Sequence, residues 1–131
     1  MPKITRIDHI AVLVDDIDRA AAFWHDALGI DLTHTANVTA EQAQVAFLPL
    51  GGSEIELVQP TTADSGLARY LEKHGPGIHH LCLQVEDLRG MLAHLQSNGI
   101  QLINPEPRLT DSGKKYTFIH PKSTGGVLIE L

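Results

Sequence analysis

Apolar residues along this chain form two kinds of pattern, and the kinds recur in the same order. Ile7–Val14 is rich in Ile and Val and predicts a strand. Asp15 or Asp16 is placed to cap a helix. Ile17, Ala21, Trp24 and Leu28 follow at helical spacing, with Gly29 where a helix can stop. Val45–Pro49 and Glu54–Gln59 predict two strands joined by a Gly51-Gly52 turn. Ser65 caps a short helix whose apolar positions are Leu67, Tyr70 and Leu71, ending at Gly75. Then the order restarts. Gly77–Val85 predicts a strand; Glu86 or Asp87 caps a helix carrying Leu88, Met91, Leu92 and Leu95; Gly99 ends it. Ile100–Asn104 predicts a short strand, Pro105, Pro107 and Asp111-Ser112-Gly113 a loop, and Tyr116–His120 and Gly126–Leu131 the closing strands.

The recurrence extends to individual residues. Ile7-Asp8-His9-Ile10 matches Ile78-His79-His80-Leu81, and Asp15-Asp16 matches Glu86-Asp87. Gly29-Ile30 matches Gly99-Ile100, and Ile55-Glu56-Leu57 matches Ile129-Glu130-Leu131. A period this long is not that of a solenoid repeat. It predicts an α+β fold of two paired βαβββ modules, whose curved sheets enclose a metal-centred cavity. The chain reads as one domain over 1–131, with module one about 5–60, a linker about 61–76 and module two about 77–131.

Composition narrows the class without naming a function. The chain is 43% hydrophobic and 20% charged, as in ordinary globular proteins. A formal net charge of −6 argues against non-specific nucleic-acid binding. A lone cysteine, Cys82, excludes an internal disulfide and suits a reducing compartment. No apolar run approaches the roughly 20 residues of a membrane span, and none resembles a signal peptide. These features predict a cytoplasmic protein with neither nucleic acid nor membrane as partner.

Strand parity selects the residues that can converge. His9, Ala11 and Leu13 share one face of the first strand, and His80, Cys82 and Gln84 one face of its counterpart. The opposite faces are wholly apolar and suited to packing on helices, so the histidine faces line the cavity. Glu56 and Glu130 alternate with apolar neighbours and point the same way. His9, Glu56, His80 and Glu130 therefore form a candidate site for one divalent ion. The donor set suits Mn, Co, Ni, Fe or Zn better than Ca, which prefers an all-oxygen shell. On an octahedral ion, two positions stay open for water or substrate.

These segments resemble the vicinal-oxygen-chelate superfamily, and within it the methylmalonyl-CoA epimerase family. The resemblance rests on Ile7-Asp8-His9-Ile10-Ala11, Val45–Gly51, Ile55-Glu56-Leu57 with Pro60, and Gly77–Leu83. Most specific is the closing run His120-Pro121-Lys122-Ser123-Thr124-Gly125-Gly126-Val127-Leu128-Ile129-Glu130-Leu131. The resemblance implies epimerisation of (2R)- and (2S)-methylmalonyl-CoA, in propionate metabolism, by α-proton abstraction through an enolate. It implies His9, Glu56, His80 and Glu130 as metal ligands. His80 rather than His79 matches the family ligand, and parity agrees by placing His79 on the Leu81 face. Some family members carry a glutamate, proposed as second base, on the strand before the glycine turn. Here that place falls on Val45 or Ala46, neither of which titrates. Glu56 and Glu130 are then the expected pair of bases. The runner-up completes the pair with His120, or with Gln44 acting through a water.

Lys122, Ser123, His120 and Gln44 are expected to contact substrate, Lys122 through the substrate carboxylate or a CoA phosphate. Lys114 and Lys115 read first as a solvated turn, with the acidic end of CoA as the alternative. Cys82 reads as a small core residue. Two other functions fit parts of the pattern: a glyoxalase I-type lyase acting on a glutathione hemithioacetal, and a metal-free small-molecule binding protein. A 2-His-1-carboxylate dioxygenase fits less well, because this chain offers a fourth ligand. Some members of the superfamily pair modules between chains, which leaves room for a homodimer.

Overall fold

A computed structural model describes residues 1–131. Strand β1 (Ile4–Leu13) leads to helix α1 (Ile17–Ala21), which widens into π-helical turns over Ala22–Ala27. Strands β2 (His34–Val38), β3 (Ala43–Leu50) and β4 (Ser53–Pro60) complete the first half. Helix α2 (Gly66–His74) follows. The second half holds β5 (Gly77–Val85), α3 (Leu88–Ser97), β6 (Arg108–Leu109), β7 (Lys115–Tyr116), β8 (Phe118–Ile119) and β9 (Ile129–Glu130). The helices start where predicted. Asp16, Ser65 and Asp87 each accept a hydrogen bond from the backbone N–H three residues on.

One curved mixed sheet carries seven strands in the order β2-β3-β4-β1-β5-β9-β8. It does not close into a barrel. Its centre repeats. In the first half β1 runs parallel to β4, with Ala11 opposite Glu56; in the second β5 runs parallel to β9, with Cys82 opposite Glu130. Strands β1 and β5 join the halves antiparallel. The two candidate carboxylates thus sit at equivalent places on either side of the joint.

The parity argument sorts the core correctly. Val12, Val14, Leu48 and Leu57 pack with Ile17 beneath α1, while Met91, Leu92, Leu102 and Ile119 pack with Leu131 around α3. On the opposite face Ala11, Leu13, Ala43, Val45 and Val58 form a third cluster, with Leu67 and Leu71 of α2 packed against it; Ala43, Val45 and Val58 line the cavity.

Three expectations need correction. Strand β2 is not predicted from the sequence, because Ala36 and Val38 are its only apolar residues and most of it is exposed. It exists through five residue pairs with β3. The segment Ile100–Asn104 is no strand; only Leu102 bridges, to Ile119. Its N–H groups find other acceptors, Gln101 giving its own to Ser123 Oγ and Ile103 to Phe118 O. The closing strands are short, because Pro121–Ser123 forms a 3₁₀ turn capped by His120.

A polar clasp joins the two ends of the curl. Thr39 donates to Asp111 from both N–H (2.9 Å) and Oγ1 (2.8 Å). Glu41 Oε2 accepts from Arg108 Nη1 and from the Tyr116 hydroxyl, each at 2.7 Å. Tyr116 is buried, so its hydroxyl has little access to water as a substitute. Tyr116→Phe should cost roughly 1.5–3 kcal/mol, the range for a hydrogen bond to a charged acceptor. Urea unfolding measures the loss, and metal binding should be unchanged, since the hydroxyl touches no candidate ligand.

Candidate functional site

The cavity floored by β1, β3, β4 and β5 encloses about 820 Å³, within the range of small-molecule sites. Three of the four predicted ligands meet in it. Glu130 Oε1 lies 2.8 Å from His80 Nε2 and 3.2 Å from His9 Nε2, and the two Nε2 atoms are 3.4 Å apart. An octahedral ion with bonds of about 2.1 Å sets neighbouring donors about 3 Å apart, so these spacings fit one cation. The fourth, Glu56, shares the cavity but turns to the other nitrogen of His9, with Oε2 at 3.0 Å from Nδ1. It groups there with Asp8 and Glu54.

Charge is arranged around the histidines. Asp8 is buried and takes a 2.7 Å hydrogen bond from His9 Nδ1. That bond, opposed by burial and assisted by Lys114, holds its carboxyl down at about 2. Arg6 Nη2 at 3.0 Å and Lys114 Nζ at 3.6 Å offset its charge. Burial pushes Glu130 upward, but hydrogen bonds from His80 and His9 outweigh it and leave the group at about 2. Burial also works against a charged His9, yet its hydrogen bonds to Asp8, Cys82, Glu130 and Glu56 raise it well above the ordinary histidine value. Burial lifts the Cys82 thiol to about 11. It therefore stays a neutral thiol, in keeping with a packing role.

Other expected contacts do not reach the cavity. Gln44 points away from it, because alternation on β3 gives Ala43, Val45 and Phe47 to the cavity face. His120, Lys122 and Ser123 also lie outside the lining residues. His120 Nδ1 accepts from Lys122 N, and Ser123 Oγ accepts from Gln101 N, so the His120 and Ser123 side chains serve local structure. Lys114 and Lys115 do line the cavity, with Thr110, Asp111 and Ser112 of the same hairpin.

The sequence reading missed Asp8 and Glu54. Glu54 was open to discovery, since it shares the Glu56 face two residues earlier; burial, then Glu56, raises its carboxyl. Strand alternation puts His79 on the far side, yet it lines the cavity beside His80. Parity fails at His79 because β5 is irregular there, with Ala11 opposite His80 but Val12 opposite Ile78.

The family model described as the Glyoxalase/Bleomycin resistance protein/Dioxygenase superfamily matches residues 8–118. The human mitochondrial methylmalonyl-CoA epimerase is 34% identical over 98% of this chain and 74% of its own. The ethylmalonyl-CoA/methylmalonyl-CoA epimerase of Cereibacter sphaeroides is 35% identical over 98% and 97%. The structure of Streptomyces coelicolor methylmalonyl-CoA epimerase in complex with 2-nitronate-propionyl-CoA superposes with a TM-score of 0.92. It is 33% identical, covering 98% of this chain and 94% of that one. The chain belongs to the glyoxalase/bleomycin resistance protein/dioxygenase superfamily and, within it, to the family of methylmalonyl-CoA epimerases. No helix is long and apolar enough to cross a membrane.

Proposed function

We propose that this chain interconverts (2R)- and (2S)-methylmalonyl-CoA, using one divalent ion held by His9, His80 and Glu130, with Glu56 as fourth ligand. The observation that carries this reading is the convergence of His9 Nε2, His80 Nε2 and Glu130 Oε1 in the cavity of an epimerase-family chain. The nitronate bound to the Streptomyces coelicolor relative is a planar anion, the shape of a deprotonated α-carbon, which supports the same chemistry.

The substrate α-carbon lies between a thioester and a carboxylate, so removing its proton spreads charge onto oxygen. A bound divalent ion would supply Lewis-acid stabilisation of that charge. The protein does the rest. Epimerisation needs a base on one face of the α-carbon and an acid on the other. Val45 and Ala46 are buried and apolar, so neither can take a proton. Glu130 and Glu56 lie near opposite nitrogens of His9, which suits them to serve the two faces. Tyr116, Phe118 and Leu67 give the cavity apolar surface against which the substrate can pack. Lys114 and Lys115 place positive charge in the cavity wall for the acidic substrate.

The test is direct. Metal-loaded protein offered each methylmalonyl-CoA epimer should convert both to the same mixture. Conversion of neither epimer, with turnover of the glutathione hemithioacetal of methylglyoxal, would replace this reading with the lyase.

A further inference from the structure

The β1–β5 pairing shifts register at three places, and two of them, at Asp8 and His79, are related by the internal repeat. Ile7 faces Leu83 but His9 faces Cys82, so Asp8 is an extra residue on β1. Ala11 faces His80 but Val12 faces Ile78, so His79 is an extra residue on β5. Asp8 and His79 occupy matched positions in the two halves, each directly before a candidate ligand histidine. A bulge re-aims the extra side chain out of strict alternation. Here both turn towards the same atom of the following residue. Asp8 Oδ2 is 2.7 Å from His9 Nδ1, and His79 Nδ1 is 2.9 Å from His80 Nδ1. In each half Nε2 is left facing Glu130.

We propose that Asp8 and His79 are a duplicated pair of positioning residues, each placed by its bulge to hold Nδ1–H of the next histidine so that Nε2 is presented as the metal donor. The proposal rests on the metal site put forward above. When Nε2 is a ligand, the only N–H of the ring is at Nδ1, and a neighbouring acceptor fixes both tautomer and ring orientation. The two halves use different acceptors. Asp8 is a carboxylate braced by Arg6 and Lys114. His79 offers a ring nitrogen and is itself set edge-on against Tyr70 of α2, with centroids 4.9 Å apart. The device thus couples the linker helix to one ligand and the Lys114 hairpin to the other.

Affinity for Co²⁺, measured by chelator competition and by the visible spectrum of the bound ion, tests this without reference to turnover. His79→Phe keeps an aromatic ring but removes the acceptor, and should weaken binding about 10- to 100-fold. His79→Asn places Oδ1 near the lost Nδ1, and His79→Asp copies the acceptor of the other half. Both should restore affinity to within a few-fold of wild type, together with its spectrum. Asp8→Asn and Asp8→Leu repeat the contrast on β1, with a smaller loss for Asp8→Leu because Glu56 Oε2 also lies 3.0 Å from His9 Nδ1, and they decide the matter if a His79 variant does not fold. If each acceptor-free variant binds Co²⁺ like wild type, the positioning role is overturned. It is also overturned if His79→Asn and His79→Asp lose as much as His79→Phe at unchanged thermal stability. Failure of the wild type itself to bind Co²⁺ would instead remove the metal site on which the proposal rests.

Discussion

A His80→Ala variant should fold as the wild type does, bind no divalent ion tightly, and lose about a thousandfold or more in kcat/KM, at or beyond the upper end for removing one charge-stabilising group. His80 supplies Nε2, 2.8 Å from Glu130 and 3.4 Å from His9. Without it two of the three converging donors remain, and Glu130 loses a hydrogen-bond partner that holds it ionised. His80 is not among the residues of the buried apolar clusters, so the fold should tolerate the change. Metal content after dialysis and kcat/KM on methylmalonyl-CoA are the measurements. His79→Phe, by contrast, should retain the ion at saturating concentration, because it removes a brace and not a donor. Equal and complete loss of metal in both variants would shift the ligand assignment to the pair.

The second large effect concerns Glu56. Glutamine at this position can still offer an oxygen to an ion but cannot readily serve as a base. Glu56→Gln should therefore keep its metal yet lose epimerisation by about 100-fold or more, the scale of a general acid–base contribution. Exchange of the α-proton should persist from one epimer, through Glu130 on the other face. The structure sharpens the test, because Glu56 approaches His9 at Nδ1 and stands beside Glu54 and Asp8. Val45 and Ala46 leave no alternative base on β3. Rapid epimerisation by metal-loaded Glu56→Gln would reduce Glu56 to a ligand and turn attention to Glu54, which lines the same wall.

Much of the site was legible in the chain because the repeat and strand parity are local rules. His9, His80 and Glu130 needed only a matched pair of halves and the alternation of side chains to be brought together. The helix caps Asp16, Ser65 and Asp87 were legible for the same reason. What escaped depends on non-local pairing. Strand β2 has no apolar signature of its own and is defined by β3. Asp8 and His79 acquire their roles from bulges, which arise between two strands separated by half the chain. Lys122, Ser123 and His120 sit in the most recognisable run of the sequence, yet none lines the cavity, and the His120 and Ser123 side chains accept backbone hydrogen bonds nearby. Lys114 and Lys115 looked like an ordinary solvated turn until the hairpin was folded over the cavity.

The central claim is metal-dependent proton removal from the α-carbon of methylmalonyl-CoA by this cavity. Its most direct test is deuterium incorporation from heavy water into each epimer, followed with metal-loaded protein before and after addition of a strong chelator. The account predicts exchange from both epimers, its collapse in the chelator, and its return when Co²⁺ or Mn²⁺ is restored. Exchange that continues undiminished in protein verified to be free of metal, or no exchange from either epimer in the loaded protein, would contradict it.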